Sequence, residues 1–150
     1  MSDAALVDYS ITGPADADTA GKFRRDLRRW LSHTVSINAH QVADVVLASY
    51  EALSNCVEHA YCDHDGASGG LMTLDIRNDR TEQTVRVCVS DQGSWIEPSP
   101  AAINADRGRG LILMHGLADD CTVERGNDGT TVCLHFHRCP ALDRTPVRAS

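Results

Sequence analysis

Three short stretches of this chain carry side chains and backbone groups of the types that handle a charged ligand. The first is Glu51-Ala52-Leu53-Ser54-Asn55, continuing to Glu58-His59-Ala60-Tyr61. Residues four apart on a helix project from one face a single turn apart, so Glu51 and Asn55 form a pair. A carboxylate can accept a proton, and a carboxamide oxygen can ligate a hard metal ion. The second stretch is Val89-Ser90-Asp91-Gln92-Gly93, an apolar run closing in Asp-x-Gly. A carboxylate at a strand end, with a glycine leaving room beside it, can accept a hydrogen bond from the exocyclic amine of a base. The third is Arg107-Gly108-Arg109-Gly110-Leu111-Ile112-Leu113-Met114, where glycines lead directly into a helical segment. Exposed backbone N–H groups at a helix start favour phosphate. No Gly-Lys-Ser/Thr follows, so this is not a Walker A loop. Taken singly, the three also fit an exposed helical pair, a turn and an ordinary loop.

The elements that must position these residues follow from hydrophobic periodicity. Leu6 to Thr12 alternate loosely and predict a first strand, and Pro14 suits the first turn of a helix. Phe23, Leu27, Trp30 and Leu31 make one apolar stripe, with Lys22, Arg24, Arg25, Arg28 and Arg29 crowding the other side. That is an amphipathic helix with a basic face, either simply solvated or a docking surface for an acidic partner. Asn38 is the expected N-cap of a long second helix running to about Tyr61. Leu71 to Arg77 and Thr84 to Asp91 alternate with period two and predict a hairpin turned by Asn78 to Gln83. Gln92 to Arg109 is irregular, Leu111 to Ala118 a short helix, Cys121 to Glu124 a strand, Gly126 to Gly129 a turn and Thr130 to Phe136 a last strand. This order predicts a two-layer α/β sandwich, a mixed and mainly antiparallel sheet with helices on one face. The other sheet face must meet water or a partner.

At 150 residues the chain suits one domain, expected over residues 1–137 with a loose tail from Arg138. Fourteen Lys+Arg against 21 Asp+Glu give a net charge of −7, which argues against direct binding of nucleic acid. No apolar run is long enough to cross a bilayer and no secretory signal opens the sequence, so a soluble cytoplasmic protein is expected. The six cysteines include no CxxC pair and are expected to be free thiols, mostly buried. Cys133, His135, His137 and Cys139 alternate and would share one sheet face if the last strand ran that far. Alternate positions on one strand stand about 6–7 Å apart, awkward for one tetrahedral zinc ion, so an open or dimer-facing surface is the better reading.

Order and spacing add to what each stretch says alone. Glu-x-x-x-Asn, then Asp-x-Gly, then Gly-x-Gly-Leu, then Gly129-Thr130-Thr131 resembles the Bergerat ATP-binding fold of the GHKL superfamily. The wording Glu-Ala-Leu-Ser-Asn-Cys-Val-Glu-His-Ala-Tyr looks most like RsbW-type anti-sigma factors, which are also serine/threonine protein kinases. The resemblance covers roughly residues 5 to 137. It implies that Glu51 activates an attacking hydroxyl, Asn55 binds Mg2+, and Asp91 reads adenine with Gly93 giving space. It also implies that Gly108, Gly110 and Leu111 approach the phosphates, that Arg107 or Arg109 steadies the γ-phosphate, and that Thr130 or Thr131 supports the adenine side. ATP and Mg2+ are the implied ligands. A sigma factor and a STAS-domain anti-anti-sigma protein are the implied partners, and a homodimer is expected from the family and the uncovered sheet face. One departure is Trp95, standing where many relatives have a second glycine after Asp-x-Gly. The alternative is a non-catalytic module that sequesters a partner and uses ATP structurally. A histidine kinase is not expected, since a dimerising phosphoacceptor domain would not fit beside this one in 150 residues. His59 is read as a pocket-wall or solvent residue.

Overall fold

The computed structural model describes residues 8–62, 70–91, 114–126 and 129–142, with backbone alone for residues 59–62 and Gly126. Its strands are β1 (Tyr9–Pro14), β2 (Leu71–Asp79), β3 (Thr84–Asp91), β4 (Asp120–Gly126) and β5 (Gly129–Phe136), and its long helices α1 (Ala17–Thr34) and α2 (Ala39–Cys62). The strands form one sheet in the order β1-β2-β3-β5-β4. Every neighbouring pair among them is antiparallel. The chain leaves β3, reaches the far edge as β4, and returns as β5 into the slot between them. The expected two-layer α/β sandwich is therefore present, and its described sheet is wholly rather than mainly antiparallel.

Alternation sorts the sheet into two faces. Met72, Leu74 and Ile76 of β2, Val85, Val87 and Val89 of β3, and Val132, Leu134 and Phe136 of β5 are buried on one face. Against them lie Phe23, Leu27 and Leu31 of α1 and Val45, Ala48, Ala52, Leu53 and Cys56 of α2. Fully burying each large side chain contributes about 1.5–3 kcal/mol. Gly13 lets α1 approach β1, because a Cβ there would stand 3.0 Å from the Thr19 methyl and 3.4 Å from the Phe23 ring.

Helix ends follow local chemistry. The Asp16 carboxylate accepts from the Thr19 backbone N–H at 2.8 Å and caps α1. Pro14 closes β1 instead of opening the helix, because Gly13 and Pro14 still pair with Met72 and Leu71. Asn38 caps α2 as expected: its side chain accepts from the Gln41 N–H at 2.8 Å, and the Gln41 side chain accepts from the Asn38 N–H at 3.1 Å. That reciprocal pair is a capping box.

Several expectations need correction. Asn78 belongs to β2 rather than to the turn and is buried, donating to the carbonyls of Thr84 and Cys139. The turn shrinks to residues 80–83, the last of which, Gln83, takes a left-handed φ of 58°. Two cysteines expected to be free thiols, Cys88 and Cys133, form a disulfide across β3 and β5. They are 45 positions apart, so only the strand register brings them opposite one another. Cys56, Cys121 and Cys139 are free and buried. The alternating Cys/His row also breaks. β5 ends at Phe136, and Arg138 takes a φ of 61°, which turns Cys139 back into the core. No metal-holding group of three or more His, Cys, Asp or Glu occurs among the described residues. The tail expected to be loose from Arg138 docks over its first residues, with Ser36 N–H donating to the Pro140 carbonyl and Leu142 N–H to that of Thr34. No helix among the described residues is long and apolar enough to cross a membrane.

The Asp16 cap gives a prediction with a definite pH sign. Its hydrogen bonds with Thr19 hold the carboxyl below its ordinary range. A depressed folded value means the stabilisation is present above the ordinary carboxylate pKa and is lost as pH falls through the folded one. Asp16→Ala should therefore cost about 1 kcal/mol near neutral pH. Thermal melts at falling pH should show that difference shrinking once the carboxylate protonates.

Candidate functional site

The ends of β3 and β5 meet where the sheet runs under α2. Asp91 is the last residue of β3, and its register partner is Thr130, near the start of β5. The glycine before it, Gly129, takes a φ of 140° that only glycine adopts easily, and this lets the chain turn out of β4 into β5. Both Asp91 and Thr130 have the parity of the core-facing residues, so they point into the helical layer. The Thr130 backbone N–H donates to Asp91 Oδ1 at 3.3 Å. The Thr130 hydroxyl is buried and has no hydrogen-bond partner among the described residues. An unpartnered buried hydroxyl is costly, so this one is a natural place for a ligand to bond. The sequence left open whether Thr130 or Thr131 faces inward. Thr130 does, while Thr131 lies half-buried on the other face, opposite Ser90.

Helix α2 supplies the third side. Ala48, Ala52 and Cys56 make a buried line along it, and Cys56 ends that line against Asp91. Burial, reinforced by the Asp91 charge and a hydrogen bond to that carboxylate, pushes the Cys56 thiol far up. The thiol therefore stays protonated and acts as a donor that holds Asp91 in place. Periodicity alone counts Cys56 as one more apolar position, and no sequence signal distinguishes the thiol from packing. Glu51 and Asn55 occupy the neighbouring line on α2 and are half-buried, bordering the buried stripe.

The structure thus brings Asp91 and Thr130 into contact and sets both beneath the helix that carries Glu51 and Asn55. A carboxylate acceptor beside a hydroxyl that can donate or accept suits an amino-substituted heteroaromatic ring. A half-buried carboxamide next to a carboxylate suits a hard divalent cation and a proton acceptor. These donor sets fit a base at Asp91 and Thr130 and Mg2+ at Asn55. Gly93, Trp95, Arg107, Gly108, Arg109, Gly110 and Leu111 lie outside the described residues, as does the side chain of His59. Beyond them, a helical turn at 114–117 begins with Met114 fully buried in the core.

A family model described as histidine kinase-like ATPase domain matches residues 13–136, a span that includes Glu51, Asn55, Asp91 and Thr130. The serine-protein kinase RsbW of Bacillus pumilus (strain SAFR-032) is 30% identical over 107 residues, covering 63% of this chain and 64% of that relative. The crystal structure of the RsbU and RsbW domains of a Mycobacterium tuberculosis protein matches with a TM-score of 0.62 at 26% identity. That match covers 89% of this chain and 32% of the other. The SiaB–SiaC complex of Pseudomonas aeruginosa matches with a TM-score of 0.57 over 87% of this chain and 89% of the other, at 13% identity, a likeness of fold alone. This chain therefore spans only part of the length of the RsbW relative and of the two-domain structure. With a matching family model over most of its length, the chain belongs to the histidine kinase-like ATPase domain family and resembles its RsbW-type members.

Proposed function

We propose that the chain is an ATP-binding anti-sigma regulatory factor that phosphorylates a STAS-domain anti-anti-sigma protein on Ser or Thr and sequesters a sigma factor. The observation that carries this reading is the inward-facing pair of Asp91 and Thr130, with the buried Thr130 hydroxyl left unpartnered among the described residues. Similarity to a serine-protein kinase supports the choice of phosphoryl transfer over nucleotide binding alone. In this account Asp91 accepts from the exocyclic amine of adenine, held by the Thr130 N–H and the Cys56 thiol. Gly93 leaves room for the base, and Gly108, Gly110 and Leu111 bring backbone N–H groups to the phosphates. Asn55 offers Mg2+ a neutral oxygen, which leaves the Glu51 carboxylate free. When bound, Mg2+ and ATP supply the phosphoryl group and much of the charge neutralisation. Glu51 then takes the proton from the incoming hydroxyl. Arg107 or Arg109 steadies the γ-phosphate through its planar fork, which Lys would imitate poorly.

The partner surface in this reading is the basic face of α1. Lys22, Arg24, Arg25, Arg28 and Arg29 are all exposed on a chain of net charge −7. Lys22 pairs with Asp26 at 3.3 Å, and Arg24 stacks over the Tyr50 ring at 5.2 Å. Arg25, Arg28 and Arg29 make no ion pair among the described residues, so their charge remains available to an acidic protein surface. A cytoplasmic homodimer completes the proposal. The non-catalytic alternative draws its support from Trp95, whose bulk replaces a glycine of the second motif.

Two measurements test the proposal. Nucleotide affinity and phosphoryl transfer to a STAS-domain protein of the same host should be measured side by side for Glu51→Ala and Asn55→Ala. Glu51→Ala should keep ATP binding and lose transfer by about 10²–10⁴-fold. Asn55→Ala should lose Mg2+-dependent affinity as well; equal losses of both quantities in both variants would remove the base role of Glu51. Reversing Arg25 and Arg28 to Glu should weaken partner capture in a pull-down while leaving ATP affinity intact. Unchanged capture would remove α1 as the docking face.

A further inference from the structure

The sheet face turned away from the helices carries polar side chains in rows fixed by register. Ser10, Asp75, Cys88, Cys133 and Thr122 form one row, and Arg77, Arg86, His135 and Asp120 the next. Cys88 and Cys133 are joined across this face, with Cα atoms 4.1 Å apart. The nucleotide reading makes no use of them.

The two sulfurs have different surroundings. Cys88 is half-buried, and its neighbour on the other side is Asp75 of β2. Cys133 is only 8% exposed, and Arg86 Nη2 lies 3.8 Å from its sulfur. The Arg86 Nε is buried with no hydrogen-bond partner among the described residues, so the guanidinium has donor capacity to spare. An adjacent guanidinium favours a thiolate, and an adjacent carboxylate opposes one. Other charges near Cys133 are weaker candidates for that role. Burial and Arg86 push His135 down, which keeps its imidazole neutral at neutral pH. Asp120 and Glu124 of β4 stand opposite His135 and Thr131, one pairing either side of Cys133, and both are exposed, as is His137 beyond the end of β5. Arg77 is paired with Asp79 at 3.9 Å.

We infer that Cys88–Cys133 is a reversible exchange site for low-molecular-weight thiols, opened by attack at Cys88 Sγ with Cys133 leaving as a thiolate paired to Arg86. Attack falls on the more accessible sulfur, and a stabilised leaving thiolate departs faster. In the first step the external thiolate forms a bond to Cys88 Sγ, the Cys88–Cys133 bond breaks, and the electron pair goes to Cys133 Sγ. A second external thiolate attacks the external sulfur of that mixed disulfide and releases Cys88. The protein disulfide gains two electrons, and two external thiols become one external disulfide. The reverse sequence, with a low-molecular-weight disulfide as oxidant, restores the bond. Arg86 is a positioning residue here, acting through Cys133 rather than on the external thiol.

The test treats folded, oxidised protein with excess reduced glutathione, quenches samples in acid and locates adducts by peptide mass spectrometry. The first adduct should sit on Cys88, while Cys56 stays unmodified. Arg86→Gln should slow exchange, because a leaving thiol of higher pKa departs more slowly. Arg86→Lys keeps a charge beside the sulfur and should recover much of that loss. Reduced Cys88→Ser provides a second readout that needs no disulfide. Its Cys133 should be alkylated by iodoacetamide with a pH midpoint below that of an ordinary thiol, and adding Arg86→Gln should raise the midpoint. A first adduct on Cys133, equal exchange rates for wild type and Arg86→Gln, or a bond that yields only when urea unfolds the protein would each overturn the inference.

Discussion

Antiparallel pairing of β3 with β5 governs both faces of this molecule. One register sets Asp91 opposite Thr130 and Cys88 opposite Cys133, the second pair lying three positions further along each strand. Because side chains alternate, the first pair points into the helical layer and the second points away from it. A slip of β5 by one residue would turn Thr130 to the outer face and Cys133 into the helical layer, breaking both pairs. The register is held by Val85, Val87 and Val89 packed beside Val132, Leu134 and Phe136, all buried against the helices. Site geometry is therefore a consequence of how the core packs.

The order of the strands explains why the site lies at this end of the sheet. In sequence β4 follows β3, yet β5 is the strand that pairs with β3, so Asp91 at the end of β3 meets Thr130 at the start of β5. Helix α2 lies over the same region, with Cys56 set against Asp91 and Glu51 and Asn55 on the adjoining line. Three parts of the chain distant in sequence thus converge without any of them leaving regular structure. The outer face is polar and exposes charges, while the inner one is mostly apolar, its polar positions being Asp91, Thr130, the buried Asn78 and, on the edge strand beside Thr130, Arg125. Asp91 and Thr130 are bonded to each other beneath α2, while Asn78, at the opposite end of the sheet, bonds the carbonyls of Thr84 and Cys139.

Most of the fold was legible because its signals are local. The Asn38 cap, the Phe23, Leu27 and Leu31 stripe and the alternation of β2 and β3 each depend on residues close in sequence, and each element stands where its pattern placed it. Glu51, Asn55 and Asp91 are singled out by type, spacing and family resemblance. The structure adds that Asp91 and Thr130 touch. What was not legible depends on residues far apart. The Cys88–Cys133 bond needs the β3–β5 register, and the thiol of Cys56 acquires its role only from a carboxylate on another element. Pro14 misled because a proline serves a strand end as well as a helix start. Asn78 misled because a turn-forming residue was recruited to bond the carbonyls of Thr84 and Cys139 inside the sheet.

The claim on which the functional account rests is that Asp91 recognises the base of a bound nucleotide. Calorimetric titration of ATP with Mg2+ into wild type and Asp91→Asn tests it most directly, with thermal melts confirming that both proteins are folded. An amide presents donors where the carboxylate only accepts, and a hydrogen bond to a charged group contributes about 1.5–3 kcal/mol. The account predicts saturable binding to wild type below millimolar ATP and a loss of about tenfold or more in the variant. Absence of binding to wild type at millimolar ATP, or equal affinity in the two proteins, would contradict it.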